Sequence, residues 1–353
     1  MNTTYKHHGC CRRQSGMTLI EIMIAVTISL ILLAGIMQIF LSSKQTYRVQ
    51  DGTSRLQENS RFAMRFLNQD IRMAGYSGCS AGSLVPTNIV DLDGDGTPDP
   101  VSDFAGDGLA GYEYADLPVA LTATDTLAAA DVIPNTDAIV ILKGSSDNVQ
   151  LAGNMTSDNA NIQITAASQA AVGFNADDIL FVSDCEAADV FSVNSVSSAG
   201  PKTTMAHSSA NNTGPKLSKA YGSDAVVMKL EKIAYYASTN ANGNPALFRR
   251  YMEGANMVTE ELVEGVESLQ FQYGEDTTGD GHANRYVNAT NVANFANVVA
   301  VRIGLLMNTQ EEINPEVDTS TYQLLDFVVD PVDDRRARRI FTITSKLRNK
   351  GAL

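Results

Sequence analysis

The side chains in this sequence whose types and spacing could do chemistry are mostly acidic. Asp91, Asp93, Asp95 and Gly96 fall at positions 1, 3, 5 and 6 of a calcium-loop pattern, with Asp99 at position 9. In such a loop alternate carboxylates converge on one hard cation while glycine allows the sharp turn, so the ion expected is Ca2+. A complete EF-hand is excluded, because position 12 is Ser102 and because Pro98 and Pro100 oppose an exiting helix. Asp276, Thr278, Asp280, Gly281 and Asn284 repeat the frame more weakly, with a neutral residue at position 3. The plain alternative for both is a solvated Asp-Gly turn. No other motif asks for a cofactor.

Motifs of catalysis are not completed. Gly106, Gly108 and Gly111 satisfy G-x-G-x-x-G, but no strand precedes them and no convincing helix follows, so a flexible loop is expected rather than a dinucleotide site. Gly75-Tyr76-Ser77-Gly78-Cys79 is not a nucleophile elbow, since Cys79 stands where the last glycine belongs. His207 and His282 lie far apart in loop-like sequence, which supplies neither a triad nor a zinc site. The expectation is a protein that is not an enzyme. Nucleic acid is not an expected partner either: 26 Lys and Arg against 40 Asp and Glu give a net charge of −14. The basic run Arg335, Arg336, Arg338 and Arg339 precedes a strand-like segment and is expected to make ion pairs with nearby acids.

One carboxylate is placed where water is scarce. Glu21 lies at the start of an apolar run, and from Ile22 to Leu41 there is no charge and one amide, Gln38. Twenty helical residues span roughly the 30 Å of a hydrocarbon core, so a membrane helix is predicted, and a carboxylate at its end needs a partner or a headgroup. Lys6, Arg12 and Arg13 precede the run, which sets the N-terminus in the cytoplasm and everything beyond Leu41 outside the inner membrane. A secretory signal peptide is the alternative, but Leu41, Ser42, Ser43 and Lys44 make a poor cleavage site.

The elements that must position these groups follow from periodicity. No proline occurs between Met17 and Val85, and Leu56, Phe62, Ala63, Phe66, Leu67 and Ile71 recur at the spacing of one helix face. The helix is therefore expected to have a membrane half, 17–41, and an amphipathic half, 42–74, with a bend or break near Gly52, where Ser54 and Gln57 could recap it. Beyond Gly75 come β-type runs at Ala138–Leu142, Ile179–Val182, Val190–Val196, Ala225–Tyr236, Leu247–Met252, Leu269–Tyr273, Val298–Met307 and Ile340–Leu347. Ser197–Lys219 reads as a long hairpin loop. The predicted fold class is α+β: a long N-terminal helix packed on an antiparallel β-sheet, with a large β-rich head over 75–353. A chain of 353 residues that is 44% apolar and 19% charged can bury such a core.

Gly16, Met17, Thr18, Leu19, Ile20 and Glu21 resemble the prepilin signature: a short basic leader ending in Gly, a hydrophobic residue, and Glu at the fifth position of the product. Met17 replaces the commoner Phe. The resemblance implies a leader, 1–16, cut between Gly16 and Met17 by prepilin peptidase, with N-methylation of Met17. It also implies assembly contacts through Thr18, Leu19 and Glu21, whose carboxylate pairs with a subunit's N-terminal amine. Further segments, SSKQTYRVQDGTSRLQENSRFAMRFLNQDIRMAGYSGC, DCEAADVF, GEDTTGDGHANRY, NVVAVRIGLL and RRIFTITSKLRNK, are similar in order to the PilW family of type IV minor pilins. The stretch from Ser80 to Asp137 matches least.

From that resemblance follow the remaining expectations. Cys10 and Cys11 leave with the leader, and Cys79 and Cys185, both in PilW-like segments, form a disulfide. The protein acts in initiation of pilus assembly and in the tip complex. It sits in inner membrane lipid before entering the pilus. Its partners are other minor pilins, the major pilin and a PilY-type tip protein. Two other readings remain at this point: a type II secretion minor pseudopilin, and a membrane-anchored calcium-dependent binding or adhesion module.

Overall fold

The computed structural model describes residues 16–78, 86–99, 108–122, 125–184, 186–254 and 256–350. The chain divides into two compact units, Met1–Asp51 and Gly52–Leu353. A single helix, α1 (Leu19–Met73), belongs to both. It ends where Gly75 adopts φ +71°, a left-handed stop that only glycine takes without a steric penalty.

After the helix the chain runs through β1 (Thr87–Asn88), β2 (Leu109–Tyr112), the short pair β3 (Val119–Ala120) and β4 (Thr126–Leu127), β5 (Ala138–Gln150) and β6 (Ile162–Thr165). A seven-residue helix, α2 (Ala166–Val172), leads to β7 (Ile179–Ser183), β8 (Ala188–Ser192), β9 (Ser195–Ala199) and β10 (Lys202–Ala206). Then follow β11 (Val226–Thr239), β12 (Pro245–Glu253), β13 (Asn256–Glu264), β14 (Val266–Glu275), β15 (Arg285–Val287) and β16 (Val298–Glu312). A small hairpin, β17 (Tyr322–Leu324) and β18 (Phe327–Val329), precedes β19 (Arg336–Lys346).

Strand β11 organises the first sheet. One edge pairs with β5, and the other is shared by β7 at Val226–Lys229 and β12 at Ile233–Thr239. The second sheet, in the order β15-β14-β16-β19, is antiparallel throughout. In the second unit, Leu56, Ala63, Leu67 and Ile71 of α1 share one core with Ile139 and Ile141 of β5, Tyr235 of β11, Phe271 of β14 and Val301, Ile303 and Leu305 of β16. Burying a Leu or Ile side chain completely is worth roughly 1.5–3 kcal/mol, so this helix face is a main source of the head's stability. The α+β class and the helix-on-sheet packing agree with the sequence expectation.

Three expectations are corrected. The helix does not break near Gly52: its assignment is continuous through Asp51, Gly52 and Ser54. A Cβ at Gly52 would lie 2.8 Å from Ile313 Cδ1, so this glycine lets the end of β16 approach the helix closely. Phe62, placed on the core face by spacing, is 46% exposed, and the face is completed instead by buried Ser60 and Asp70. The Ser197–Lys219 stretch is not wholly loop. It contains most of the β9–β10 hairpin, in which Thr203 and Met205 are buried, and Val190–Val196 is divided between β8 and β9.

Candidate functional site

The helix start is an N-cap built from two side chains. Thr18 N and Thr18 Oγ1 both donate to Glu21 Oε2, at 2.9 and 3.0 Å, and Glu21 N donates back to Thr18 Oγ1 at 3.4 Å. This reciprocal pattern is a capping box, and it sets a carboxylate at the positive end of the helix dipole. Gly16 and Met17 lie just before it, outside the helix and exposed. The Glu21 carboxylate is thereby folded back onto Thr18, one residue beyond the Gly16–Met17 bond.

Beyond this cap the helix presents exposed apolar side chains as far as Leu41. Leu19, Ile20, Ile24, Ile28, Leu32, Ile36 and Phe40 are among many large apolar side chains left exposed. The helix is long and apolar enough to cross a membrane. Thr27, exposed on this surface, closes its hydroxyl on Met23 O and Ile24 O at 2.8 and 2.9 Å, so its polar group is satisfied within the helix. Ala25 and Ser29 line a shallow groove with Met17, Ile22, Leu30 and Leu33, where a neighbouring helix could approach closely.

The first acidic loop brings three of its four aspartates together. Asp91 and Asp99 are buried, Asp93 is exposed, and carboxylate oxygens of all three lie within 4.8 Å of one another. Gly94 N and Gly96 N hold Asp91 at 2.8 and 3.0 Å, and Leu92 N donates to Asp99 Oδ2 at 2.5 Å. Gly94 and Gly96 have φ of +74° and +84°, which is the reason for glycine at both. Asp95 stands apart, accepting from Thr97 N and Oγ1 at 2.7 Å. Burial, then the charges of Asp93, Asp91 and Asp95, raise the Asp99 carboxyl above its usual range, against the opposing Leu92 N–H. Such a trio of hard oxygen donors suits a divalent cation, whose charge would relieve that repulsion.

The second loop closes differently. Gly279 N and Gly281 N donate to Asp276 at 2.6 Å, with Thr278 N at 3.0 Å and Asp280 N at 3.3 Å. Although partial burial raises it, these donors hold the Asp276 carboxyl below its ordinary value. Asp280 takes His282 N at 2.9 Å, and Asn284 takes Thr277 N at 2.7 Å while its oxygen lies 3.4 Å from Thr278 Oγ1.

Cys79 and Cys185 lie outside the described residues. Their described neighbours converge: a Cβ at Gly78 would lie 2.9 Å from Val226 Cγ2, and Val226 is in register with Ser183. Gly106 also lies outside. The flexible-loop expectation for Gly108 and Gly111 is corrected, because Gly111 is in β2 and Gly108 directly precedes it. A Cβ at Gly108 would meet Gly75 N at 2.3 Å, and one at Gly111 would meet Tyr273 Oη at 2.0 Å. His207 is a core residue, its Nε2 3.0 Å from Ala160 O and its ring beside Phe191, while His282 is exposed.

Two charged clusters were not visible in the spacing. Asp70 of α1 accepts from Tyr235 Oη at 2.5 Å and pairs with Lys143, which also pairs with Glu231. Asp137, buried just before β5, accepts from Phe271 N at 2.8 Å and bonds with Glu113, whose Oε1 accepts from Ala289 N. Burial and the charge of Glu113 push Asp137 up to about 8. A signal existed for Asp137, an acid abutting the apolar run Ala138–Leu142; Glu113 carried none. The basic run does make ion pairs: Arg338 with Glu267, Asp334 and Asp318, and Arg336 with Asp334.

Comparison with known proteins gives three findings. Residues 234–349 match the family described as Type IV Pilus-assembly protein W. Residues 11–37 match the prokaryotic N-terminal methylation motif. Among solved structures the chain is similar to a type IV-like pilin from Thermus thermophilus, at 12% identity over 84% of this chain and 96% of that one, with a TM-score of 0.34. No curated protein matches the sequence.

Proposed function

We infer that this chain, a PilW-family protein with a prepilin-type N-terminus, is a minor pilin of the type IV pilus, and that its work is assembly. The observation that carries the reading is the start of α1, where Glu21 is folded onto Thr18, two residues past Gly16, at the head of an uncovered apolar helix. Prepilin peptidase removes 1–16 and Met17 is N-methylated. The helix then spans the inner membrane with the head in the periplasm until the subunit is drawn into the pilus. There the exposed apolar surface exchanges lipid for the helices of neighbouring pilins, and Glu21 pairs with an N-terminal amine, each charge answering the other's burial.

The head contacts other minor pilins, the major pilin and a PilY-type tip protein, in the priming complex and at the tip. The convergence of Gly78 and Ser183 on Val226 supports a Cys79–Cys185 disulfide. Asp91, Asp93 and Asp99 support a calcium ion in the first loop, in keeping with a role of the head in adhesion or twitching. The PilW match over 234–349 favours the pilus over a type II secretion pseudopilin.

The test is genetic and chemical together. Deletion should abolish or sharply reduce piliation, and Glu21→Ala should accumulate in the membrane yet fail to restore pili. Unchanged piliation on deletion would remove the reading. Mass spectrometry of the mature protein should give an N-terminus at methylated Met17.

A further inference from the structure

Among the described residues of the second unit, large apolar side chains are exposed at Phe62, at Ile343 and, together on one excursion between β16 and β19, at Val317, Phe327, Val328 and Val332. Val328 is 53% and Val332 77% exposed. The excursion is a braced arm. Asn314 N donates to Arg335 O at 2.9 Å and Asp318 N to Asp334 O at 2.7 Å, and farther out β17 pairs with β18, Leu324 opposite Phe327 and Gln323 opposite Val328. Leu324 is buried against Gly304 of β16, which has no Cβ to obstruct it, so that face of the hairpin lies on the sheet and the Gln323–Val328 face is turned outward.

At the base sits the Arg338 guanidinium, its side chain 0% exposed. It bonds Glu267 at 2.7 Å, Asp334 at 2.9 Å and Val332 O at 3.1 Å. An arm ordered in this way loses little further freedom on binding.

The arm and its ends are predominantly acidic. Glu311, Glu312, Glu316, Asp326, Asp330 and Asp333 are exposed, and within 311–335 the one exposed cation is Arg335. We propose that this arm docks a different protein subunit, one whose surface presents an apolar patch bordered by Lys or Arg. A second copy is a poor partner, because two such rims would set carboxylates against carboxylates on molecules that are already acidic. An anionic bilayer surface repels the same rim. The proposal deepens the pilus-subunit reading and rests on it for placing the partner outside the inner membrane.

Photo-crosslinking in piliated cells tests it. With the full chain carrying benzoyl-phenylalanine at Val328 or at Val332, irradiation should join it to one other extracytoplasmic protein, through a segment holding Lys or Arg beside apolar residues. The same probe at exposed Asn242, in the turn after β11, should give no such adduct. Combining Asp330→Lys with Asp333→Lys, both exposed and outside the base, should cut the adduct at least ~10-fold at unchanged protein level. An adduct only with itself or with lipid, no adduct, or one insensitive to charge reversal overturns the proposal. If deletion abolishes pili while no adduct forms, the arm alone is refuted; if deletion leaves pili intact, the pilus reading falls whatever the arm binds.

Discussion

Asp137→Asn isolates one buried proton. Asp137 faces Glu113, with Asp116, Asp326, Tyr273 and Tyr112 the other titratable groups around the pair. Its carboxyl is raised from 3.8 to about 8, by burial first and by Glu113 second. A raised acid holds its proton in the folded state after the unfolded chain has released it. Its contribution to stability is therefore complete below pH 3.8 and is lost as pH rises toward 8. With one proton at stake over an interval that lies between the two values, stability falls by roughly 3 kcal/mol between pH 5 and pH 7.

Asparagine keeps the shape, can accept from Phe271 N and donate to Glu113, and cannot ionise. The difference in stability between Asp137→Asn and wild type should therefore widen in the variant's favour by roughly 3 kcal/mol over that interval, near 5 °C in melting temperature. The full chain in detergent, followed by near-ultraviolet circular dichroism, reports mainly the head, which carries ten of the 12 tyrosines in a sequence without tryptophan. Titrations of groups that do not touch Asp137 cancel in the difference, so that what is left belongs to the Asp137–Glu113 pair. Parallel stability curves for the two proteins from pH 5 to pH 7 would refute the reasoning.

Other changes probe other parts of the molecule. Calcium at about 100 times its dissociation constant should stabilise the full chain by about 2.7 kcal/mol, and Asp99→Asn should abolish the effect; a melting temperature that ignores both calcium and chelator removes the ion. Gly111→Ala, which sets a methyl group on the Tyr273 hydroxyl, should cost about 1–3 kcal/mol in chemical denaturation, and an unaltered midpoint would mean that β2 shifts freely. Asp70→Ala should destabilise by roughly 1–3 kcal/mol, since Tyr235 and Lys143 lose a buried acceptor. If it is silent, the cluster adds nothing to helix docking.

Much of the fold could be read from the sequence because its signals are local. Leu56, Ala63, Leu67 and Ile71 declare a helix face by spacing, and apolar runs such as Val298–Met307 lie within strands that are buried on both sides. The same logic fails for β9 and β10, whose Ser, Thr and Lys residues gain strand character only by pairing with each other and, for β10, with β6. Gly52 shows a different limit. Propensity counts it as a weak point, whereas its role is set by Ile313, far along the chain.

The site divides in the same way. The prepilin pattern around Glu21 and the aspartate frame of the first loop are contiguous in sequence and were legible there. Asp137 with Glu113, and Asp70 with Lys143, are joined only by the fold, so spacing could not reveal them. Asp95 fits the frame by position yet turns to Thr97, because a nearer pair of donors satisfies it.

The brace of the arm keeps two kinds of group apart. Glu267, Asp318, Asp334 and Arg338 fix its direction, while the side chains of Val328 and Val332 are exposed and Val332 meets the brace only through its backbone carbonyl. Mutations at the arm's far end are therefore free of the demands of folding. A lineage can alter which surface the arm meets by changing a few exposed side chains, leaving the scaffold that presents them intact.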